Sequence, residues 1–384
     1  MADLVVMSLE RWDDVWRRNQ HLVAGLLADD RTLRVLFVEP PADPMHDVMS
    51  RRRPSRGQGI AEIAEVAPGR LWRYRPVKWL PRRIDAHADE RLSRAVIRAT
   101  RRLGMPDPLL WINDPSAITL SMESGWRTLY DMTDDWLTAD RPAAELRRVA
   151  AAETHLLNHA AEVVACSPEL LRRKSPSRPA DRTPITLIPN AVNTAAYRRP
   201  APRPEDVPGS PIAVYVGTLH EDRIDVALCE QTARALGEQG VLVLVGPNAL
   251  AADASERLRK AGTLLLGPRP REDVIGYLQH ADVLVVPHVV TSFTDSLDPI
   301  KLYEYQAVGR PVVSTPVAGF RDADDPRITI AAGSEFVEAV RAAVSASDPA
   351  GGEPGVHVAD WQDRVRAMAV VLTRLSSRRP DHTG

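Results

Sequence analysis

The chain has 384 residues, 44% of them hydrophobic and 26% charged, which is enough for two domains with ordinary cores. Its formal net charge is −2, its two cysteines (Cys166 and Cys229) lie far apart, and no run approaches the ~18 uninterrupted apolar residues of a membrane span. These totals argue against a disulfide-stapled secreted domain, a membrane-spanning chain and a cysteine metal site, and the N-terminal "MADLVVMSLERW" has no signal-peptide pattern, so the cytoplasm is the expected compartment.

In chain order, "DLVVMSL" and "LRVLFVEPP" are short apolar runs ended by turn residues, with the helically spaced "NQHLVAGLLADD" between them. Strand, helix, strand is the signature of a parallel unit. Residues 51–102 then hold fourteen Arg and one Lys against Glu62, Glu65, Asp85, Asp89 and Glu90, a local +10 that leaves −12 for the rest. Such a block is either a solvated, arginine-rich surface or a basic face for an anionic lipid or acceptor. No recognition motif accompanies it to favour nucleic acid. The apolar runs resume as "PLLWIND", "RTLYDMTDDW", "AEVVACSPEL" and "ITLIPNAVN", with "RRKSPSRPADRTP" (172–184) reading as a surface loop.

After the proline-rich stretch 198–211 the pattern starts afresh: "IAVYVGT", "GVLVLVGP", "GTLLLGP", "ADVLVVPH", "RPVVSTP" and "RITIAAG". Nearly all-apolar strands alternating with helices predict two doubly wound α/β domains whose parallel sheets are covered on both faces. The expected division is 1–198 and 199–357, with the helical stretch in 358–384 packing back on the first domain. In open α/β sheets ligands sit beyond the carboxyl ends of the strands, so two such sheets facing each other imply a cleft, with functional residues just after strands.

The most informative stretch is "DSLDPIKLYEYQAVGRPVVST" (295–315). Pro299 suits a first helical turn, and Asp298 or Ser296 is placed to cap it. A helix start at Pro299 and Ile300 offers free N–H groups and the positive end of the dipole to an anion, and Lys301 adds a full charge. Glu304, one turn on, can accept two hydroxyl hydrogen bonds, as from a ribose. The alternative is an i, i+3 surface pair worth only ~0.2–0.5 kcal/mol.

Gly217 and Thr218 end another strand, where glycine permits a phosphate to approach the backbone, although a simple turn reads the same way. Gly267, Arg269 and Arg271 follow a third strand, and an arginine there suits a diphosphate or is merely solvated. In "LYDMTDDW", Asp131, Asp134 and Asp135 are dense enough for a raised-pKa base, a helix cap or a Mg²⁺ site. Glu10, Arg11, Trp12 and Asp13 fall at the same rim, where aromatics can stack on a sugar or pack in the core. His220, His280 and His288 have no ligand spacing, though His288 follows a strand.

Together, "ITLIPNAVNTAAY", "YVGTLHEDRID", "LLGPRPREDVIGYLQHADVLVVPH" and "DPIKLYEYQAVGRPVVSTPVAGF" resemble a bacterial glycosyltransferase of the two-Rossmann GT-B architecture, in the family 1/4-like group. "WDDVWRRNQHL", "VLFVEPP" and "YDMTDDW" resemble polysaccharide- and teichuronic-type transferases more loosely. The resemblance implies a second domain that binds a nucleotide-diphospho-sugar, usually a UDP-sugar, with no bound metal or further cofactor. Glu304 would hold the ribose, Lys301 and Arg223 would meet the diphosphate or sugar, and Gly217 and Thr218 would lie under the phosphates. The first domain would take a glycan, lipid-linked or small-molecule acceptor, and the basic segment would touch the inner face of the membrane.

Two positions depart from the retaining pattern: Ser296 stands where a second glutamate is usual, and Asp225 where a lysine is expected. An inverting route would instead use Asp131 or Asp134 as base. A nucleotide-sugar 2-epimerase and a catalytically silent sugar-nucleotide binding protein share the architecture and stay open.

Overall fold

A computed structural model of the chain describes residues 3–13, 16–49, 53–80, 82, 84–138, 142–209, 211–291, 294–296, 298–346 and 358–377. The chain divides into two compact units, Met1–Pro189 with Trp361–Gly384, and Asn190–Asp360. The change of unit falls nine residues before the expected 198. Its physical reason is local: the Thr194–Arg198 helix is capped by Asn193 and buries Tyr197 in the second core, so the proline-rich stretch lies inside that unit.

The first unit is built on eight strands: β1 (Leu4–Met7), β2 (Val35–Val38), β3 (Gln58–Glu62), β4 (Leu71–Arg75), β5 (Leu109–Ile112), β6 (Thr128–Met132), β7 (Glu162–Ala165) and β8 (Thr186–Leu187). They run in the order β3-β4-β2-β1-β5-β6-β7-β8, parallel throughout except for the β3–β4 edge pair. β1, β2, β5, β6 and β7 are buried almost throughout, as all-apolar strands under two helical layers should be. β3 and β4 are unexpected. In β4, "LWRYR" alternates arginine with aromatics, so this strand beside the edge strand β3 is half-buried and carries no apolar run for a sequence reading to find.

The 172–184 stretch is a surface loop only in part: residues 172–174 finish the Pro168–Lys174 helix, a single tight turn follows at Ser175–Ser177, and both Lys174 and Arg178 are buried. Arg178 donates to the carbonyls of Leu157 and Ala160, closing the end of the Ala143–His159 helix.

The Trp361–Ser377 helix belongs to the first unit. Its buried stripe is Trp361, Val365, Met368, Val371, Leu372 and Leu375, the spacing of one helical face. It packs on the Arg18–Asp29 helix, where Trp361 stacks on His21 at 4.7 Å and Gly25 admits Val365. Arg374 pairs with the fully buried Glu162 of β7 at 2.9 Å.

The second unit has six parallel strands: β9 (Ile212–Val216), β10 (Val241–Val245), β11 (Leu264–Gly267), β12 (Val283–Val286), β13 (Val312–Ser314) and β14 (Ile328–Ile330). Their order is β11-β10-β9-β12-β13-β14, so the chain reverses direction of growth between β9 and β12. That reversal is the switch point where such sheets open a crevice. One core lies on each face of this sheet.

A Cβ at Gly25 would stand 2.3 Å from Val365 Cγ2. Gly25→Val is therefore expected to overpack the helix pair and destabilise the first unit by about 1–3 kcal/mol. A lowered urea midpoint for that unit checks this.

Candidate functional site

Three adjacent strands of the second unit end in glycine: Gly217 after β9, Gly246 after β10 and Gly267 closing β11. All three have positive φ (150°, 144° and 72°), where an L side chain is strained. They knit the rim, since Gly217 N–H donates to Val245 O and Gly246 N–H to Gly267 O, both at 2.9 Å. A Cβ at Gly246 would fall 2.1 Å from Gly217 O, so this pair of turns has no room for a side chain. Gly246 is not among the residues singled out from the sequence; its signal is the repeat "VGT", "VGP", "LGP" at three strand ends.

The Ile300–Val308 helix points its start at this glycine rim. Pro299 precedes it with φ −73° and ψ 120°, and no side chain caps it. Asp298 is engaged elsewhere, accepting from Asn190 N–H at 2.5 Å and from Tyr303 Oη at 2.8 Å. The side chain of Ser296 lies outside the described residues. Gly319, at φ 81°, lets the chain pass Pro299 where a Cβ would meet its Cδ at 2.9 Å.

Lys301 reaches from the first turn to the end of β9. Its Nζ lies 3.6 Å from the centroid of the Tyr215 ring, a cation–π contact, and 2.9 Å from where a Gly217 Cβ would be. Among the described residues it has no ion pair. Burial pulls its pKa down to about 7, with Arg223 adding to the fall and Glu304 opposing it. Tyr215 Oη is 3.0 Å from His288 Nε2. Burial, then the charges of Lys301 and Arg223, push His288 far down, so the imidazole is neutral. Burial likewise raises the Tyr215 phenol, keeping it protonated.

Glu304 accepts from the buried Tyr197 hydroxyl at 2.5 Å through Oε1. Thr218 and Arg223 are exposed beside the rim. The loop that carries them is fixed by its backbone, since Asp225 N–H donates to Pro287 O and Val289 N–H to Arg223 O. Asp225 itself caps the Val226–Leu236 helix at Leu228 N–H, 2.9 Å. Pro299, Ile300, Lys301, Glu304, Gly217, Thr218 and Arg223 thus gather at one end of the sheet. Arg269 does not join them: it is paired with Asp206 at 2.6 Å and hydrogen-bonded to Tyr277 at 3.0 Å.

In the first unit the expected acidic cluster splits apart. Asp131 is fully buried at the end of β6 and saturated. Arg18 clasps it through Nε and Nη2 at 3.2 and 3.1 Å, and Trp111 Nε1 and Asn113 Nδ2 donate at 3.2 Å each. A carboxylate held by these donors is placed to orient the rim, and the expected use of Asp131 as a base finds both of its oxygens already engaged. Asp135 is likewise tied to Arg173 and the buried Lys174, whose Nζ also meets Glu153. Cations therefore answer two of the three aspartates. Among the described residues, no group of three or more His, Cys, Asp or Glu side chains is arranged to hold a metal ion.

Asp134 remains half-buried, accepting from Thr133 Oγ1 at 3.0 Å. Near it stands Glu10, on the loop after β1. Its Oε1 meets Arg17 only at 3.8 Å, and its Oε2 is buried with no hydrogen-bond partner among the described residues. Burial raises its pKa to about 7; Arg17 opposes this, and Asp134 and Asp13 add to it. Trp12 and Trp16 pack on each other, and Trp12 also packs on Phe37. A cavity of about 60 Å³ adjoins the same rim, between the ends of β1, β2 and β5, with Ser8, Glu39, Arg82 and Asp114 in its lining.

Residues 210–346 match the model of the family described as Glycosyl transferases group 1. A teichuronic acid biosynthesis glycosyltransferase of Bacillus subtilis (strain 168) is 24% identical over 328 residues, which is 81% of this chain and 80% of that protein. The fold is similar to that of a sucrose-phosphate synthase from Thermosynechococcus elongatus (TM-score 0.64, 19% identity, 97% of each chain). It is also similar to Anabaena Alr3699/HepE, solved in complex with UDP and glucose (TM-score 0.58, 14% identity, 98% of this chain and 97% of that one).

Asp131→Asn would leave the buried Arg18 without its carboxylate. It is expected to destabilise the first unit by about 3–5 kcal/mol, seen as a lower denaturant midpoint. An unchanged midpoint with lost turnover would return Asp131 to the chemistry.

Proposed function

We propose, from the premise that the chain is a glycosyltransferase of the GT-B fold, that it moves a sugar from a nucleotide-diphospho-sugar, most simply a UDP-sugar, to an acceptor hydroxyl. The observation that carries the donor half is the Lys301 ammonium. It is held over Tyr215 against the Gly217 turn with no anion of its own among the described residues, one turn from the Glu304 carboxylate. A diphosphate supplies the missing counter-charge, the uncapped helix start and the glycine N–H groups supply donors, and Glu304 accepts from the ribose hydroxyls. Neutralisation by side chains and helix end makes a bound metal unnecessary in this reading. Thr218 and Arg223 flank the phosphates.

For the acceptor half, Glu10 beside Asp134 is the proton acceptor we favour. Its unpartnered, buried Oε2 and raised pKa suit a base working near neutrality. As the acceptor oxygen loses its proton to the carboxylate it attacks the anomeric carbon, and the bond from that carbon to the diphosphate oxygen breaks. Ser296 in place of the second glutamate of the retaining pattern supports this inverting course. The acceptor is a glycan, a lipid-linked glycan or a small molecule. The basic 51–102 segment supports one presented at the inner face of a membrane.

Glu304→Ala should weaken UDP binding by about 1–3 kcal/mol in calorimetry; unchanged affinity would remove the ribose role. A diphosphate binds the protonated Lys301 best. The lysine loses its proton in the free protein as pH rises through about 7, so UDP affinity should fall over that rise and the fall should flatten in Lys301→Ala. Uridine should show neither effect.

Turnover should rise with pH through about 7 as Glu10 ionises. Glu10→Gln should lose that limb and roughly 10²–10⁴-fold in rate while still binding UDP. A Glu10→Gln enzyme with an unchanged pH profile would place the base elsewhere, Asp134→Asn being the next variant to measure.

A further inference from the structure

We infer that the first unit carries a membrane-docking face, formed by the Pro44–Met49 helix, Val77 to Leu80 with Ile84, and the arginine-bearing turns of the Ala88–Arg102 helix, which seats on an anionic lipid surface. The inference concerns the basic segment of the first unit and does not depend on the sugar transfer.

Twelve large hydrophobic side chains are exposed among the described residues. Six of them, Met45, Val48, Met49, Trp79, Leu80 and Ile84, belong to these two short segments. Trp79 is 72% exposed and Ile84 62%, values that a core-packed aromatic or isoleucine does not show. The backbone brings the segments together. Ala42 bridges Val77 in a parallel pairing, Lys78 N–H donates to Ala42 O at 2.8 Å, and the Lys78 ammonium pairs with Asp43. The apolar tips are therefore neighbours on one surface rather than scattered residues, and a clustered patch marks a contact.

The same surface is rimmed with cations. Lys78, Trp79 and Leu80 share a concave region of about 640 Å³ with Arg91, Arg94 and Arg98. Those arginines stand three and four residues apart, on one side of their helix. Arg91 pairs with Asp85 and Arg94 with Glu90, while Arg98 has no ion pair among the described residues. The segment as a whole keeps its surplus of +10, so its acids do not cancel the field.

Exposed tryptophan, isoleucine and methionine tips between long basic side chains suit shallow insertion, with the cations meeting anionic headgroups. An acidic protein partner would satisfy the charge alone, and a second copy of this chain would oppose like charges. The combination of both features favours lipid. No helix among the described residues is long and apolar enough to cross a membrane, so this contact would be peripheral.

The test is co-sedimentation of the full chain with vesicles of phosphatidylcholine, either alone or with roughly one-third phosphatidylglycerol. The chain is expected to bind the anionic vesicles at least ~10-fold better, and to be released as salt screens the headgroups. Trp79→Ala with Ile84→Ala, and separately Arg94→Glu with Arg98→Glu, should each weaken binding ~10-fold or more, with UDP calorimetry unchanged. Equal binding to both vesicle types, or no binding, overturns the proposal. So does a lipid-free dimer in analytical ultracentrifugation that the Trp79→Ala, Ile84→Ala variant returns to monomer, because the occupant is then a second copy. A wild-type chain that docks on vesicles yet binds no UDP would refute the donor reading and leave this face standing.

Discussion

A half-buried cation with no ion pair among the described residues governs the second unit. Desolvating an ammonium is costly, and among the described residues the face of Tyr215 and the carboxylate of Glu304 one turn away offset the loss. Glu304 is itself held by Tyr197, so it does not collapse onto the lysine. The neutral His288 steadies the Tyr215 hydroxyl without adding a second positive charge. Gly217 follows from the same constraint, because any side chain there would occupy the space of the Lys301 Nζ. Tyrosine, histidine, glycine and glutamate are thus four consequences of keeping one charge available to a ligand.

The first unit treats its rim in the opposite way. Asp131 and Asp135 are each answered by buried or half-buried cations, and Asn19 joins them through Asn113. Such saturation makes the ends of β5, β6 and the Arg18–Asp29 helix a rigid frame. Glu10 differs from these aspartates: it is a carboxylate with a buried oxygen that has no hydrogen-bond partner among the described residues, and its arginine is too far for a hydrogen bond. A satisfied network locates a structural support, and the unpartnered oxygen of Glu10 is the observation on which the proposed base rests.

What the sequence could reveal follows from the range of the interactions. Apolar runs ended by glycine or proline are local, and they marked β1, β2 and β5 to β14 as well as the helix start at Pro299. The β3–β4 edge carries its meaning in alternation with arginine, which charge counting reads only as a basic block. Asp131 misled because its partner Arg18 lies 113 residues away, and no spacing rule joins a helix start after β1 to the end of β6. Glu10 could be placed at the rim, but its lack of a partner emerges only when every neighbour is fixed. Arg269 followed a strand as expected and still turned to Asp206, whose position depends on how the proline-rich stretch folds.

Asp225 shows why the usual pattern of the glycine turn could change without losing the site. An aspartate there caps the Val226–Leu236 helix, and the backbone on either side pairs with the segment leaving β12. A lysine at 225 would forgo that cap, a loss of about 1 kcal/mol, and would leave a flexible cation on an exposed loop. Lys301 supplies the charge from a helix whose start is pinned by the packing of Gly319 on Pro299 and by Asn190 on Asp298. Fewer rotamers then need freezing when an anion arrives, so the cation is better organised on the helix than on the loop. Aspartate at 225 therefore serves as a cap on the exposed loop, while the cation at 301 stands on the stiffer element.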